Sequence, residues 1–309
     1  MPELLLIGDD EIAELLDLEE LARALETALR SISLGAVDVP PRSAARAPSG
    51  WLGAMPGFAG GRLGAKLVSV YPDNPARGQP SHQGVIVLFD AETGRVSALL
   101  GAARITAMRT AMTTAVAARG LAASTRQIAV LGGGVQAESH LEAFAHLFPG
   151  SRLTVAARSE AAARALARER GVEVAASFEE AVRGADVVCC CTDAWSPILV
   201  DSWLGPGCHV SSVGSGEEVP AETVERAELF VESRTALLPP PAGSCELAGR
   251  PPESVTEVGE VFAGLKGGRS SPAALTFYKS MGHAAEDLAA SGVVLAEAAR
   301  RHGGQRVSL

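Results

Sequence analysis

Ile128-Ala-Val-Leu-Gly-Gly-Gly-Val-Gln-Ala137 is the stretch from which the fold of this 309-residue chain can be read. An apolar run stops at three glycines, and a helical pattern begins at once. The spacing Gly132-x-Gly134-x-x-Ala137 is that of a strand–turn–helix built around a pyrophosphate. Gly132 permits the tight turn, Gly134 lets the backbone approach the anion, and Ala137 lets the helix pack close to the strand. The free N–H groups of the helix start, at Val135 and Gln136, face the phosphate. A glycine-rich string alone also suits a purely structural turn, so its neighbours matter. Apolar strand patterns recur at 127–131, 152–156, 172–174, 186–192, 209–213 and 228–231, with helical patterns at 136–148, 159–170 and 177–183. This alternation predicts an α/β fold, a Rossmann doubly wound parallel sheet with right-handed crossovers.

The adenosine end of the expected dinucleotide is read at the tip of the second strand. An NAD site usually carries Asp or Glu there, about 20 residues after the glycines. Residues 156–159 are Ala-Ala-Arg-Ser, with no acid before Glu160. Arg158 and Ser159 suit a 2′-phosphate, with Arg164 one turn further as a weaker candidate, so NADP is preferred over NAD. The other reading of Arg158 is a solvated residue that stacks on adenine. Thr192 ends the fourth strand, and Gly214 and Ser215 follow the fifth, at the carboxyl edge where such sheets meet the cofactor.

Composition limits the rest. Apolar residues make up 47% and charged residues 20%, and the length suits two domains. The net charge of −9 is spread without a basic block, which argues against nucleic acid or an anionic membrane as partner. No long uncharged apolar run suggests a membrane span. Met1-Pro2-Glu3, followed by Asp9 and Asp10, lacks the basic and apolar parts of a secretory leader, so a cytoplasmic location is expected. Cys189, Cys190 and Cys191 are adjacent and alternate across a strand, which suits small buried hydrophobes and not a metal site.

Outside the repeat, Asp17 and Glu20 have capping-box spacing before Leu18, Leu21, Leu25 and Leu29. Short strands with turns fill 37–95, a buried helix is expected over 105–121, a loop over 237–252, and a helix over 280–301. Three cations stand out. Arg42 follows a Pro pair, while Lys66 and Arg109 interrupt apolar runs. Charged residues in such places are either ion-paired in the core or line a cleft for an anion such as a carboxylate. Desolvation would lower the Lys66 pKa toward neutrality and suit it to proton transfer. His82 is an acid candidate or a hydrogen-bonded structural histidine. Asp287 suits either the nicotinamide side or a helix cap, and Met55 and Trp51 either a pocket wall or the core.

Several stretches in order resemble the ornithine cyclodeaminase/mu-crystallin family. They are Gly64-Ala-Lys-Leu-Val-Ser-Val-Tyr-Pro72 with Asn74, Pro80-Ser-His-Gln-Gly84, Leu88-Phe-Asp-Ala-Glu-Thr-Gly94, Ile105-Thr-Ala-Met-Arg-Thr-Ala111, 132–137 with His140, and Lys279-Ser-Met-Gly282 with Glu286-Asp-Leu288. The resemblance implies an α+β substrate and dimerisation domain, 1–112 plus 288–309, around an inserted Rossmann domain, 113–287, and a homodimer. It implies that Arg42, Lys66 and Arg109 hold the carboxylate of a small amino-acid-like substrate, with His82 nearby. Cyclodeaminases of this family depend on an aspartate that aligns here with Gly216; Glu217 and Glu218 stand beside it. The departure favours the reductase and dehydrogenase members, which interconvert cyclic imines or 2-oxo acids with amino acids using NAD(P)H. A cyclodeaminase using Glu217 or Glu218, or a non-enzymatic NADP-binding protein, are the other readings.

Overall fold

The computed structural model describes residues 3–308; Met1 and Pro2, from the stretch read against a secretory leader, and Leu309 lie outside them. Strands β1 (Glu3–Ile7), β2 (Ser43–Ala47), β3 (Gly50–Ala59), β4 (Arg62–Val70), β5 (His82–Phe89) and β6 (Val96–Gly101) come first. They are followed by β7 (Gln127–Leu131), β8 (Arg152–Ala156), β9 (Glu173–Val174), β10 (Val187–Cys190) and β11 (His209–Ser212). Then come β12 (Glu228–Val231), β13 (Val255–Glu257), β14 (Thr276–Lys279) and β15 (Gln305–Ser308). The helices are α1 (Asp9–Leu15), α2 (Leu18–Ser33), α3 (Ala102–Leu121), α4 (Val135–Leu147), α5 (Glu160–Arg170), α6 (Phe178–Val182), α7 (Ala221–Arg226), α8 (Val258–Phe262) and α9 (Ala284–Arg301). The chain forms two compact units. One runs to Arg109 and resumes at His283; the other is the insert Thr110–Gly282. Both divisions fall a few residues before 112/113 and 287/288. Glu286 and Asp287 therefore belong to the same unit as Lys66.

The insert holds an all-parallel sheet in the order β13-β12-β14-β11-β10-β7-β8-β9. From β7 the chain steps outward through β8 to β9, then returns and builds β10 and β11 on the other side of β7. The direction of winding thus reverses between β7 and β10, which is where a doubly wound sheet opens a ligand crevice. Every residue of β10, β11 and β14 is buried, as expected for strands covered on both faces. Cys189, Cys190 and Cys191 lie in this buried layer with free thiols pushed up by burial. Strand β10 ends at Cys190 and not at 192, because the Thr192 N–H turns away to Glu218.

The discontinuous unit holds a sheet in the order β15-β1-β6-β5-β4-β3-β2, antiparallel except for β1 against β6. In α2, Asp17 Oδ1 accepts the Glu20 N–H at 2.8 Å, and Leu21, Leu25 and Leu29 are fully buried. Helix α9 starts at Ala284, four residues later than the expected 280. Glu232 takes the N–H groups of Met281 and Gly282, Gly282 has φ +76°, and His283 caps the helix. Gly57 and Gly64 face each other across β3 and β4. A Cβ on Gly64 would come within 3.0 Å of Leu288, and one on Gly57 within 3.3 Å of Ala284. The absence of side chains there lets the first turns of α9 press onto the sheet. Among the described residues no helix is long and apolar enough to cross a membrane.

Candidate active site

Lys66 is the central residue of the discontinuous unit's polar cluster. On the sheet it stands between Met55 of β3 and Ile86 of β5, both buried. A charge in that apolar row needs a partner. The partner is Asp287, in the first turn of α9: its Oδ1 accepts from Lys66 Nζ at 2.9 Å and from Arg109 Nε at 2.9 Å. Arg109 Nη1 also donates to Glu286 Oε2 at 3.0 Å. Lys66, Arg109, Glu286 and Asp287 are all buried, at 3%, 4%, 0% and 1% exposure. The ion pairing that the sequence offered as one of two readings of Lys66 and Arg109 is present.

Burial pulls the Lys66 pKa down to about 8, and the positive charges of Arg109 and Arg42 add to this against the opposing pull of Asp287. Burial alone would raise Asp287, but Arg109 and Lys66 outweigh it and hold the carboxyl below its usual range. His283, beside them, is lowered to about 4 by burial, and its Nδ1 accepts the Ala285 N–H, so the ring is neutral at pH 7. His82 is not part of this cluster. It opens β5 exposed to solvent, with Nδ1 3.0 Å from Ser81 Oγ. Trp51 is half-buried on β3. Glu286 and His283 were given no role in the sequence; the signals were polar residues between Gly282 and an apolar helix and, for Glu286, its place in a family stretch.

In the insert, the carboxyl ends of β7, β8, β10 and β11 bring Gly132, Arg158, Thr192, Gly214 and Ser215 to one sheet edge. Gly132 has φ +147°, and a Cβ there would lie 2.4 Å from the Cys191 carbonyl oxygen. No other residue fits. Gly134, the N-cap of α4, has open space where its Cβ would be, and Gly133, Gly134 and Val135 are exposed. Ala137 is fully buried under the turn, and Gln136 is half-buried with its backbone carbonyl 2.6 Å from His140 Nδ1. Open backbone donors at a glycine cradle fit a dinucleotide's pyrophosphate. Arg158 is exposed just past β8, and Ser159 caps α5 by accepting the Ala162 N–H. Arg164 is held by Glu160 on its own helix.

Glu218 organises the rest of that edge. Fully buried, it accepts the Thr192 N–H and hydroxyl at 2.7 Å each, and the Ser212 hydroxyl and Gly214 N–H at 2.8 Å each. Lys279 of β14 lies underneath, donating to Ser212 Oγ and the Gly214 carbonyl and ion-paired with Glu246. The Thr192 hydroxyl and the Gly214 N–H, candidates for the cofactor, are therefore spent within the protein, while Ser215 is exposed. Sequence reasoning missed this hub, since its members are spread over Thr192–Lys279. Among the described residues no group of three or more His, Cys, Asp or Glu side chains is placed to hold a metal.

Comparison with known proteins matches residues 5–302 to the model of the ornithine cyclodeaminase/mu-crystallin family. The chain belongs to this family. Among its relatives, the ketimine reductase mu-crystallin of Mus musculus is 36% identical over 254 residues, covering 79% of this chain and 80% of the relative. The Δ1-pyrroline-2-carboxylate reductase of Thermococcus litoralis, solved with NADH and L-proline, superposes with a TM-score of 0.89 at 28% identity, covering 98% of this chain and all of that one. An archaeal alanine dehydrogenase dimer with bound NAD has a TM-score of 0.89 at 29% identity over the whole of both chains. The family's α/β architecture, with its parallel Rossmann sheet, is the one described above.

Proposed function

We propose that this family member is an NAD(P)H-dependent oxidoreductase that reduces the carbon–nitrogen double bond of a cyclic imine or imino acid to the amine, holding the substrate by its carboxylate. The observation that supports this best is the buried convergence of cations at Lys66. Arg109 and Arg42 both lower its pKa, while Asp287 pairs with Lys66 and Arg109 and Glu286 pairs with Arg109. Cations gathered in one buried place suit an arriving carboxylate. The relatives named above, which act on ketimines, pyrroline-2-carboxylate and alanine, have substrates of this class.

The glycine turn at Gly132–Ala137 would hold the dinucleotide, and a bound nicotinamide supplies the hydride. Arg42, Lys66 and Arg109 fix the carboxylate and so orient the adjacent carbon. Lys66, its pKa lowered to about 8, gives or relays the proton that turns the imine into the iminium to which hydride adds. Arg158 and Ser159 favour NADP over NAD. The likeness to a dimeric alanine dehydrogenase supports a homodimer; a cytoplasmic location is part of the same proposal.

Two observations weigh against a cyclodeaminase. Gly216 has no room for a side chain, and Glu218 is fully engaged by four donors within the protein. The test is oxidation of NADPH and NADH with Δ1-pyrroline-2-carboxylate, Δ1-piperideine-2-carboxylate, and pyruvate plus ammonia. Turnover of at least one is expected. Ammonia release from ornithine without net cofactor oxidation would replace the reading with the cyclodeaminase one. Tight NADPH binding without turnover on any substrate would favour a binding protein.

A further inference from the structure

Asp287 has one oxygen in use and one idle. Oδ1 receives both Lys66 Nζ and Arg109 Nε, while Oδ2 is buried and has no hydrogen-bond partner among the described residues. A buried ionised carboxylate with an unused oxygen is costly, and such an atom calls for an explanation. The neighbours supply no donor to it. Lys66 and Arg109 are spent on Oδ1 and Glu286, and His283 Nδ1 is occupied by the Ala285 N–H. Met55 and Ile86 flank Lys66 with apolar side chains.

We infer that Asp287 Oδ2 is the recognition point for the substrate's protonated nitrogen, accepting its N–H while the cations hold the carboxylate. The inference rests on the carboxylate reading above and adds a selection rule to it. A protonated imine or an amine has an N–H to give. The carbonyl oxygen of a 2-oxo acid has none and would set acceptor against acceptor. The site therefore rejects free 2-oxo acids and takes them only after condensation with ammonia or ring closure onto an internal amine. The reaction that supplies the substrate is thus one that forms an imine from a 2-oxo acid. Sites built around a buried acceptor discriminate strongly against ligands lacking the donor, because the acceptor is then left unpaired.

Three five-membered carboxylates test this on the cofactor-saturated protein by calorimetry: L-proline, tetrahydrofuran-2-carboxylate, in which oxygen replaces N–H, and cyclopentanecarboxylate. Wild type is expected to bind proline on the order of 10–100-fold tighter than the other two, the range of a hydrogen bond to a charged group. In Asp287→Asn the preference shrinks to within about threefold, since the amide no longer matches a cationic donor. Glu286→Gln removes the same charge from the cluster but keeps Asp287, and retains the preference. Equal binding of all three by wild type, survival of the preference in Asp287→Asn, or its equal loss in Glu286→Gln overturns the inference. Binding of none of the three would instead remove the carboxylate reading, and this inference with it. If Asp287→Asn does not fold, the wild-type comparison decides alone.

Discussion

Gly216 lies so close to Ala194 that a Cβ on it would sit 2.1 Å from the Ala194 carbonyl oxygen. The position at which the resemblance places the cyclodeaminases' aspartate is thus closed here by backbone packing as well as by residue type. Gly216→Asp is expected to shift the 213–219 loop, lower the melting temperature and weaken dinucleotide binding, without producing ammonia release from ornithine. A well-folded Gly216→Asp that cyclises ornithine would show that the packing is easily remodelled.

Lys66 predicts a pH dependence with a definite sign. Its folded pKa of about 8 is below the ordinary 10.5. Between those values the unfolded chain carries a proton on this lysine that the native one lacks, so the contribution of Lys66 to stability rises with pH across that window. Below about 8 the lysine is protonated in both states and the penalty is constant. Urea unfolding of wild type against Lys66→Met should show wild type gaining ground from pH 8 upward. Substrate affinity runs the other way. The carboxylate needs the ammonium form, so KM should climb above about pH 8 in wild type, and the mutant profile should be flat there.

Arg109→Ala removes the guanidinium from both Glu286 and Asp287 in a buried place. Removing one partner of a buried ion pair costs about 3–5 kcal/mol, and a loss of that size is expected in urea unfolding. Arg109→Lys should recover part of the stability, since one ammonium cannot serve both carboxylates as the guanidinium does.

Glu218→Ala frees four donors at once, the N–H groups of Thr192 and Gly214 and the hydroxyls of Thr192 and Ser212. Each buried donor left unpaired costs about 1–3 kcal/mol, so stability should fall, and cofactor affinity should fall with it as the edge loops loosen. Glu218→Gln, which keeps the shape and one acceptor, should lose less on both counts.

Arg158→Ala reports on the cofactor. If the guanidinium reads the 2′-phosphate, NADPH affinity drops on the order of 10–100-fold, as for a hydrogen bond to a charged group, while NADH affinity is unchanged. Equal effects on both cofactors would assign Arg158 to the adenine instead.

What could be read in the sequence was local. The strand-and-helix alternation of 127–231 is a period signal, and the glycine spacing gains its meaning from the strand before it and the helix after it. Asp17 announces its helix because capping is a matter of adjacent residues. Strand β14 escaped because Thr276-Phe-Tyr-Lys is four residues long and ends in a lysine, which suggests a surface; yet Lys279 is buried on Glu246 and Ser212. The start of α9 escaped because a distant residue, Glu232, holds Met281 and Gly282 out of the helix. Lys66 and Arg109 were recognisable as anomalies in apolar runs. Their shared partner was not, because Asp287 lies 221 residues from Lys66 along the chain and meets it only in the fold.

The late position of β14 bears on how the protein is made. Strands β12 and β13 reach the body of the parallel sheet only through β14, and the discontinuous unit obtains both carboxylates of its cation cluster from α9. A nascent chain that has emerged as far as residue 270 possesses the whole dinucleotide turn and all three cations, but neither unit is complete. Its sheet has an empty central lane and its lysine has no counter-ion. Residues 271–309 thus finish both halves together, and a chain cut at residue 270 keeps an unpaired lane beside β11 and β12 and a lysine without its Asp287 partner.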